Sequence, residues 1–293
     1  MTKLYPTQNH PSSFHRQQIV YPVVSRRSGG VSIGINLSPS KRCSFACIYC
    51  QVPYQRRRQE DLFRGLSPSV DLHELETEIR NTVDVVQSGR LFEEERFKET
   101  LPEKRELHDF AFSGDGEPTL SPQFADAVKI VTRLKKELTP ESVKMVLITN
   151  ATHLQAKDTI RGCDTLSENN GEIWAKLDAG SDELYQRMNR SIVPFGTVLE
   201  NIAFAAIRWP VKIQTMFLRH GEYSPSQNEI DSYVRAICDI EEKGGKIMGL
   251  QLYTVARPPV ESNVFPLSDE QMDRLAEEIG IRTGIAASVF YSR

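Results

Sequence analysis

Three cysteines fall within eight residues of this chain, and that spacing is its strongest chemical signal. The segment CSFACIYC places Cys43, Cys47 and Cys50 with three and then two residues between them. Thiolates are soft, anionic donors suited to iron–sulfur clusters and to zinc. A loop this short can wrap three sulfurs around one cubane, with Phe45 and Tyr49 placed to shield it. The fourth iron then lacks a protein ligand and is open to a small molecule. Two blander readings stand beside this one. A structural zinc site wants a fourth ligand and usually two Cys pairs, or a Cys pair with a His pair. No such partner follows, and the six histidines show no metal-ligand spacing. The other is three unrelated core cysteines among polar and basic neighbours. Cys163 and Cys238 stand alone and read as small buried hydrophobes. A disulfide scaffold would want an even, dispersed set in a small secreted chain.

Polar residues also cluster where apolar runs stop. In FSGDGEPTL (112–120), Gly114 and Gly116 let the backbone approach a ligand closely, and the Glu117 carboxylate can accept from an ammonium group. An ordinary glycine-rich turn before a helix explains the same residues. ITNAT ends a run with Thr149 and Asn150, the latter a turn residue or a site residue. In AKLDAG, Lys176 and Asp178 alternate around Leu177 and so share one face of a strand tip. Two charges there are costly unless they face a polar cavity or pair with each other. QTMFLRHG and LYTVARPP put Gln214, Thr215, Arg219, Tyr253, Thr254 and Arg257 at two further strand ends. Arginine there is a carboxylate or phosphate clamp, or simply a surface residue.

The elements that must position these groups alternate. Strands are expected at 31–37, 109–114, 143–149, 172–179, 211–218 and 247–255. Helices are expected at 71–87, 121–138, 182–189, 197–208, 227–244 and 268–280. Ser121 caps the second helix with Pro122 at its first position, and Ser268 and Gly280 bound the last. Residues 1–30 read as an irregular arm, 31–293 as one domain, and 92–107 as a charged, solvated excursion. Strand–helix alternation implies right-handed βαβ units around a parallel sheet. Six such units fit a partial (β/α)6 barrel with parallel strands inside and helices outside, or a doubly wound open sheet. Either places ligands at the carboxyl ends of the strands.

Composition adds limits. At 293 residues, with 39% hydrophobic and 26% charged residues, the chain can bury a full core. A net charge of −3 demands neither nucleic acid nor a membrane surface as partner. No stretch approaches the roughly 18 to 20 apolar residues of a membrane span. The first residues lack a basic start followed by an apolar run, so the expected location is cytoplasmic.

From Val31 to Pro259 the sequence resembles the radical S-adenosylmethionine (SAM) superfamily. Its hallmark is CxxxCxxC after the first strand with an aromatic before the last cysteine, here Tyr49. The resemblance implies a [4Fe–4S] cluster on Cys43, Cys47 and Cys50, whose open iron chelates SAM. It further implies reductive cleavage of SAM to a 5′-deoxyadenosyl radical that abstracts hydrogen from a substrate. The family's glycine–glutamate motif, usually GGE, appears as G-D-G-E and assigns Gly114, Gly116 and Glu117 to the methionine end of SAM. Asn150, Lys176 and Asp178 are further candidates for contact with SAM or substrate. NLSPSKRCSFACIYCQ, KLDAG, YQRMNR, QTMFLR and LYTVARPP together are similar to the branch of the wyosine-forming tRNA enzymes. Those enzymes carry extra N-terminal cysteines, whereas no cysteine precedes Cys43 here. They also use a lysine that forms a Schiff base with pyruvate, for which Lys176 is a candidate. The substrate therefore stays unassigned, with a tRNA base among the options. Arg26, Arg27, Lys41, Arg42, Arg56, Arg57 and Arg58, with Tyr54, suit an RNA backbone, an acidic electron donor of the flavodoxin or ferredoxin type, or no partner at all. An iron–sulfur electron carrier or sensor that does not use SAM is the alternative function, and a zinc-binding interaction protein a third.

Overall fold

The structure, a computed structural model, describes residues 19–52 and 69–292. Tyr54 and Arg56 to Arg58 lie outside the described residues. The chain divides into two compact units, one of residues 1–42, 66–148 and 156–172, the other of 43–65, 149–155 and 173–293.

In the first unit the strands run in the order β1 (Val20–Val24), β2 (Val31–Ile35), β3 (Leu107–Phe112) and β4 (Lys144–Thr149). The β1–β2 pair is antiparallel and the others are parallel. All five residues of β2 are buried, which is why it reads as an unbroken apolar run. The segment expected to be irregular up to residue 30 thus ends in a strand. The Glu78 carboxylate, itself buried, accepts the backbone N–H groups of Ile19 (3.0 Å) and Val20 (2.7 Å) and fixes where β1 begins. Pro22 is tolerated because β1 is an edge strand.

Helices α1 (Leu72–Gln87), α2 (Phe124–Leu138) and α3 (Lys157–Ser167) complete this unit. Asp71 caps α1 by accepting from the N–H groups of His73 and Glu74, and Leu75, Ile79, Val83 and Val86 form its buried stripe. The second helix starts later than its Ser-Pro signal suggests. Residues 118–120 form a 3-10 turn, Ser121 accepts from the Gln123 N–H, and α2 begins at Phe124. Helix α3 has too few large apolar residues to show a clear period. It is held by packing, with Gly162 seated against the Phe124 ring and Cys163 fully buried. The charged stretch 92–107 contains a 3-10 turn and a buried Phe97, which packs with Leu91, Val31 and Val86. It is therefore part of the core rather than wholly solvated.

In the second unit β5 (Gly171–Lys176) leads to α4 (Asp182–Asn189) and α5 (Phe195–Arg208). Next come β6 (Val211–Met216), β7 (Leu218–His220), α6 (Gln227–Glu242) and β8 (Ile247–Tyr253). The chain ends with β9 (Val264–Pro266), α7 (Asp269–Thr283) and β10 (Ala287–Phe290). The order β5-β6-β8-β10 is parallel throughout, and β7 and β9 form a separate antiparallel pair. Helix α7 continues through Gly280 and stops at Gly284, whose φ of 70° closes the helix. Strand β10 is an addition that the sequence pattern does not announce.

Strands β2, β3 and β4 are parallel to one another, as are β5, β6 and β8, and a helix follows each before the next of them. This is an α/β architecture with the strand–helix count of a partial (β/α)6 barrel.

Candidate active site

The cysteine loop belongs to the second unit, and its own apolar residues orient it. Phe45 (2% exposed), Ile48 (1%) and Tyr49 (8%) are buried, while the three cysteines are only half-buried. Phe45 meets the Tyr185 ring edge-on with centroids 5.5 Å apart. The loop backbone then uses acceptors that a helix end leaves over. Ala46 N–H donates to the Asn189 carbonyl (2.8 Å) and Ile48 N–H to that of Met188 (3.0 Å), both in the last turn of α4. Ser191 Oγ donates to the Ser44 carbonyl (2.8 Å), and Val260 N–H to that of Cys50 (3.0 Å).

Side-chain donors reach the sulfurs. Asn150 Nδ2 and the Phe45 N–H lie 3.5 Å and 3.4 Å from Cys43 Sγ, and Asn189 Nδ2 lies 3.4 Å from Cys47 Sγ. Such donors stabilise sulfur that carries negative charge. Asn150 also donates to Ser44 Oγ (2.7 Å) and accepts from Thr152, so it braces the loop from the end of β4. Burial above all, then the Asp178 carboxylate, pushes the Cys47 thiol up to about 12, against the pull of Lys176 and Asn189.

These thiols are donors that could hold an iron–sulfur cluster or a metal ion. Zinc needs all its ligand atoms within bonding distance of one point. Three half-buried thiols on one loop, with N–H donors aimed at two of them, suit the separate irons of a cubane.

Behind the loop, Tyr49 donates to Asp178 Oδ2, which also accepts from Asn189 Nδ2 (2.8 Å), while Asp178 Oδ1 accepts from the Met216 N–H (2.9 Å). Lys176 Nζ donates to the hydroxyls of Tyr49 (3.3 Å) and Tyr253 (2.5 Å). Strand β5 ends at Lys176, so the alternation expected through Asp178 does not continue. The two charges nevertheless meet, through the Tyr49 hydroxyl rather than as a direct pair. Burial pulls the Lys176 pKa down, but Tyr253, Asp178 and Cys47 outweigh it and hold the amine as an ammonium. Burial and Asp178 also raise Tyr49 well above the usual phenol value.

Gly114, Gly116 and Glu117 lie in the first unit. Gly114 has φ of 130°, and a Cβ there would come within 2.9 Å of the Asn36 side chain. A Cβ on Gly116 would clash with the Arg42 carbonyl and Ser38 Oγ. The Glu117 N–H donates to the Arg42 carbonyl (2.8 Å), and Glu117 Oε1 accepts from the N–H (3.2 Å) and hydroxyl (2.7 Å) of Thr119. The motif thus closes its own turn and holds the residues that run directly into Cys43. Of the other strand-end candidates, Thr215 bonds Tyr233 and Thr254 bonds the Phe217 carbonyl. Arg219 and Arg257 are exposed surface arginines. Sequence reasoning missed Asn189, Ser44, Thr152 and Ser191. Their one signal is a polar side chain placed just at or beyond an element's end.

The radical SAM superfamily matches residues 37–224, more than half the chain. This chain belongs to the radical SAM superfamily. Several solved structures share its fold. A radical SAM methyltransferase from Sphaerobacter thermophilus superposes with a TM-score of 0.60 at 16% identity, covering 94% of this chain and 70% of that one. TYW1 with a lysine-pyruvate adduct bound gives 0.58 at 16% identity, covering 95% and 80%. Streptococcus suis SuiB bound to S-adenosylmethionine gives 0.58 at 13% identity, covering 91% and 52%. At these identities the likeness is one of fold. Among curated proteins, one named GTPase Obg from Brachyspira hyodysenteriae is 24% identical over 272 residues, 90% of this chain and 33% of that protein. UPF0026 protein MJ1312 from Methanocaldococcus jannaschii is 29% identical over 172 residues, 58% of this chain and 43% of that protein. This radical SAM chain therefore spans less than half the length of the curated relatives it matches. Among the described residues no helix is long and apolar enough to cross a membrane.

Proposed function

We propose that the chain binds a [4Fe–4S] cluster through Cys43, Cys47 and Cys50 and binds SAM beside it. The carrying observation is the braced loop, in which Asn150 and Asn189 aim N–H groups at Cys43 and Cys47. Bound there, the cluster supplies the electron for reductive cleavage of SAM to a 5′-deoxyadenosyl radical. Gly114, Gly116 and Glu117 hold the methionine end of SAM in this reading. Asn150 and Asp178 act by anchoring the cysteine loop. Lys176, tied to Tyr49 and Tyr253, completes the polar lining that meets SAM or substrate. Phe45 and Tyr49 shield the loop from water. A donor of the flavodoxin or ferredoxin type supplies the electron, and a tRNA base is among the substrates to be tested. Cysteines kept as thiols suit the reducing cytoplasm that this chemistry requires.

The test is electron paramagnetic resonance of anaerobically reconstituted, reduced protein with and without SAM. A [4Fe–4S]⁺ signal that changes on adding SAM supports the reading. A signal indifferent to SAM favours an electron carrier or sensor, and zinc without a cluster rejects both.

A further inference from the structure

The second unit carries a row of polar side chains that the cysteine loop does not use. Lys176 of β5 is paired in register with Gln214 of β6, Gln214 with Gln251 of β8, and Gln251 with Ser288 of β10. Register neighbours project from the same face of a sheet. Thr215 turns the other way and bonds Tyr233 of α6 at 2.5 Å, so the row faces away from that helix. Gln214 is completely buried at 0% exposure and Gln251 nearly so at 6%. Gln214 Nε2 donates to Gln251 Oε1 at 2.7 Å, but Gln214 Oε1 has no partner. Exchanging the oxygen and nitrogen of both amides moves the orphan to the other atom of Gln214 and does not remove it.

A buried amide atom left in that state is destabilising, a cost that an aliphatic residue at the same strand position would avoid. The row opens at its other end, where Lys176 and Tyr253 are part-exposed. Lys176 Nζ has three N–H donors and commits two, to Tyr49 and Tyr253. Its charge is already balanced by Asp178 through the Tyr49 hydroxyl. An anionic ligand would bring a second negative charge to a lysine that, among the described residues, Asp178 already balances. A neutral group with a carbonyl beside an N–H adds no charge and complements both vacancies.

We infer that the Lys176–Gln214–Gln251 row recognises a neutral amide or lactam group of the substrate. The ligand N–H donates to Gln214 Oε1, and its carbonyl accepts from Lys176 Nζ. This names the substrate class of the site proposed above and rests on that reading.

Ligand-observed NMR on the reconstituted protein tests it, with 2-pyrrolidone as the lactam probe and acetate as a small anion. The expected result is binding of 2-pyrrolidone in preference to acetate, weakened about tenfold in Q214L while the SAM-induced change in the cluster signal persists. Where Q214L does not fold, Q251L, which removes the amide that pairs with Gln214, gives the same comparison. Equal binding of 2-pyrrolidone to wild type and variant, or preference for acetate, overturns the inference. Gln214-dependent lactam binding in a protein whose cluster ignores SAM would instead reject the proposed binding of SAM beside the cluster and leave this amide site standing.

Discussion

The Tyr49 hydroxyl donates to the carboxylate of Asp178, 129 residues further along the chain, and accepts from Lys176 at 3.3 Å. One phenol beside Cys50 therefore joins the cysteine loop to the end of β5. It also stands between an ammonium and a carboxylate. The aromatic before the last cysteine thus acts through its hydroxyl as well as its ring.

Y49F keeps the ring and removes that link. It leaves Asp178 short of a donor in a buried place, which costs about 1–3 kcal/mol. Urea denaturation of the metal-free protein should show a lower midpoint with an unchanged slope. A midpoint equal to wild type would mean the hydroxyl bond contributes nothing.

Asn189 donates to both Cys47 Sγ (3.4 Å) and Asp178 Oδ2 (2.8 Å), while Asn150 serves Cys43 at 3.5 Å. N189L and N150L should fold and take up iron, yet lose it faster. Groups that orient metal ligands typically matter by about 10- to 100-fold in metal affinity. Iron retained after a chelator challenge measures this, and retention at the wild-type rate would remove both residues from the site.

G116A forces a methyl group into the Arg42 carbonyl and Ser38. Overpacking of this kind costs about 1–3 kcal/mol and displaces the turn that precedes Cys43. Thermal denaturation reports the stability loss. The SAM-induced change in the cluster signal should shrink beyond what reduced folding explains. A stable G116A protein with full SAM response would show that neither the turn nor the cofactor needs this glycine.

Acid titration isolates a surface network. Hydrogen bonds from Arg133 and Arg80 lower the part-buried Glu76 carboxyl from 4.5 to about 2. A depressed carboxylate pKa stabilises the fold above the unfolded value, and that contribution is lost as pH falls from 4.5 towards 2. Thermal midpoints of wild type and E76Q should converge across that window. Parallel curves would mean that the link between α1 and α2 is not electrostatic.

The sequence by itself determined the chemistry and the order of elements. Cys43, Cys47 and Cys50 are local in the chain, so their spacing is legible without a fold. The βα rhythm is legible because burial imposes a period on each strand and helix separately. Local signals failed where tertiary packing decided the matter. Helix α3 and strand β10 lack strong patterns, α2 starts after its cap signal, and α7 runs past Gly280. Only the folded chain shows that Asn189 serves Cys47, that Tyr49 stands between Lys176 and Asp178, and that Gln214 shares a row with Lys176. Those relationships join residues as many as 142 positions apart. Hydrogen bonds act over about 3 Å in space and leave no period in the sequence, so the tertiary structure alone selects the partners.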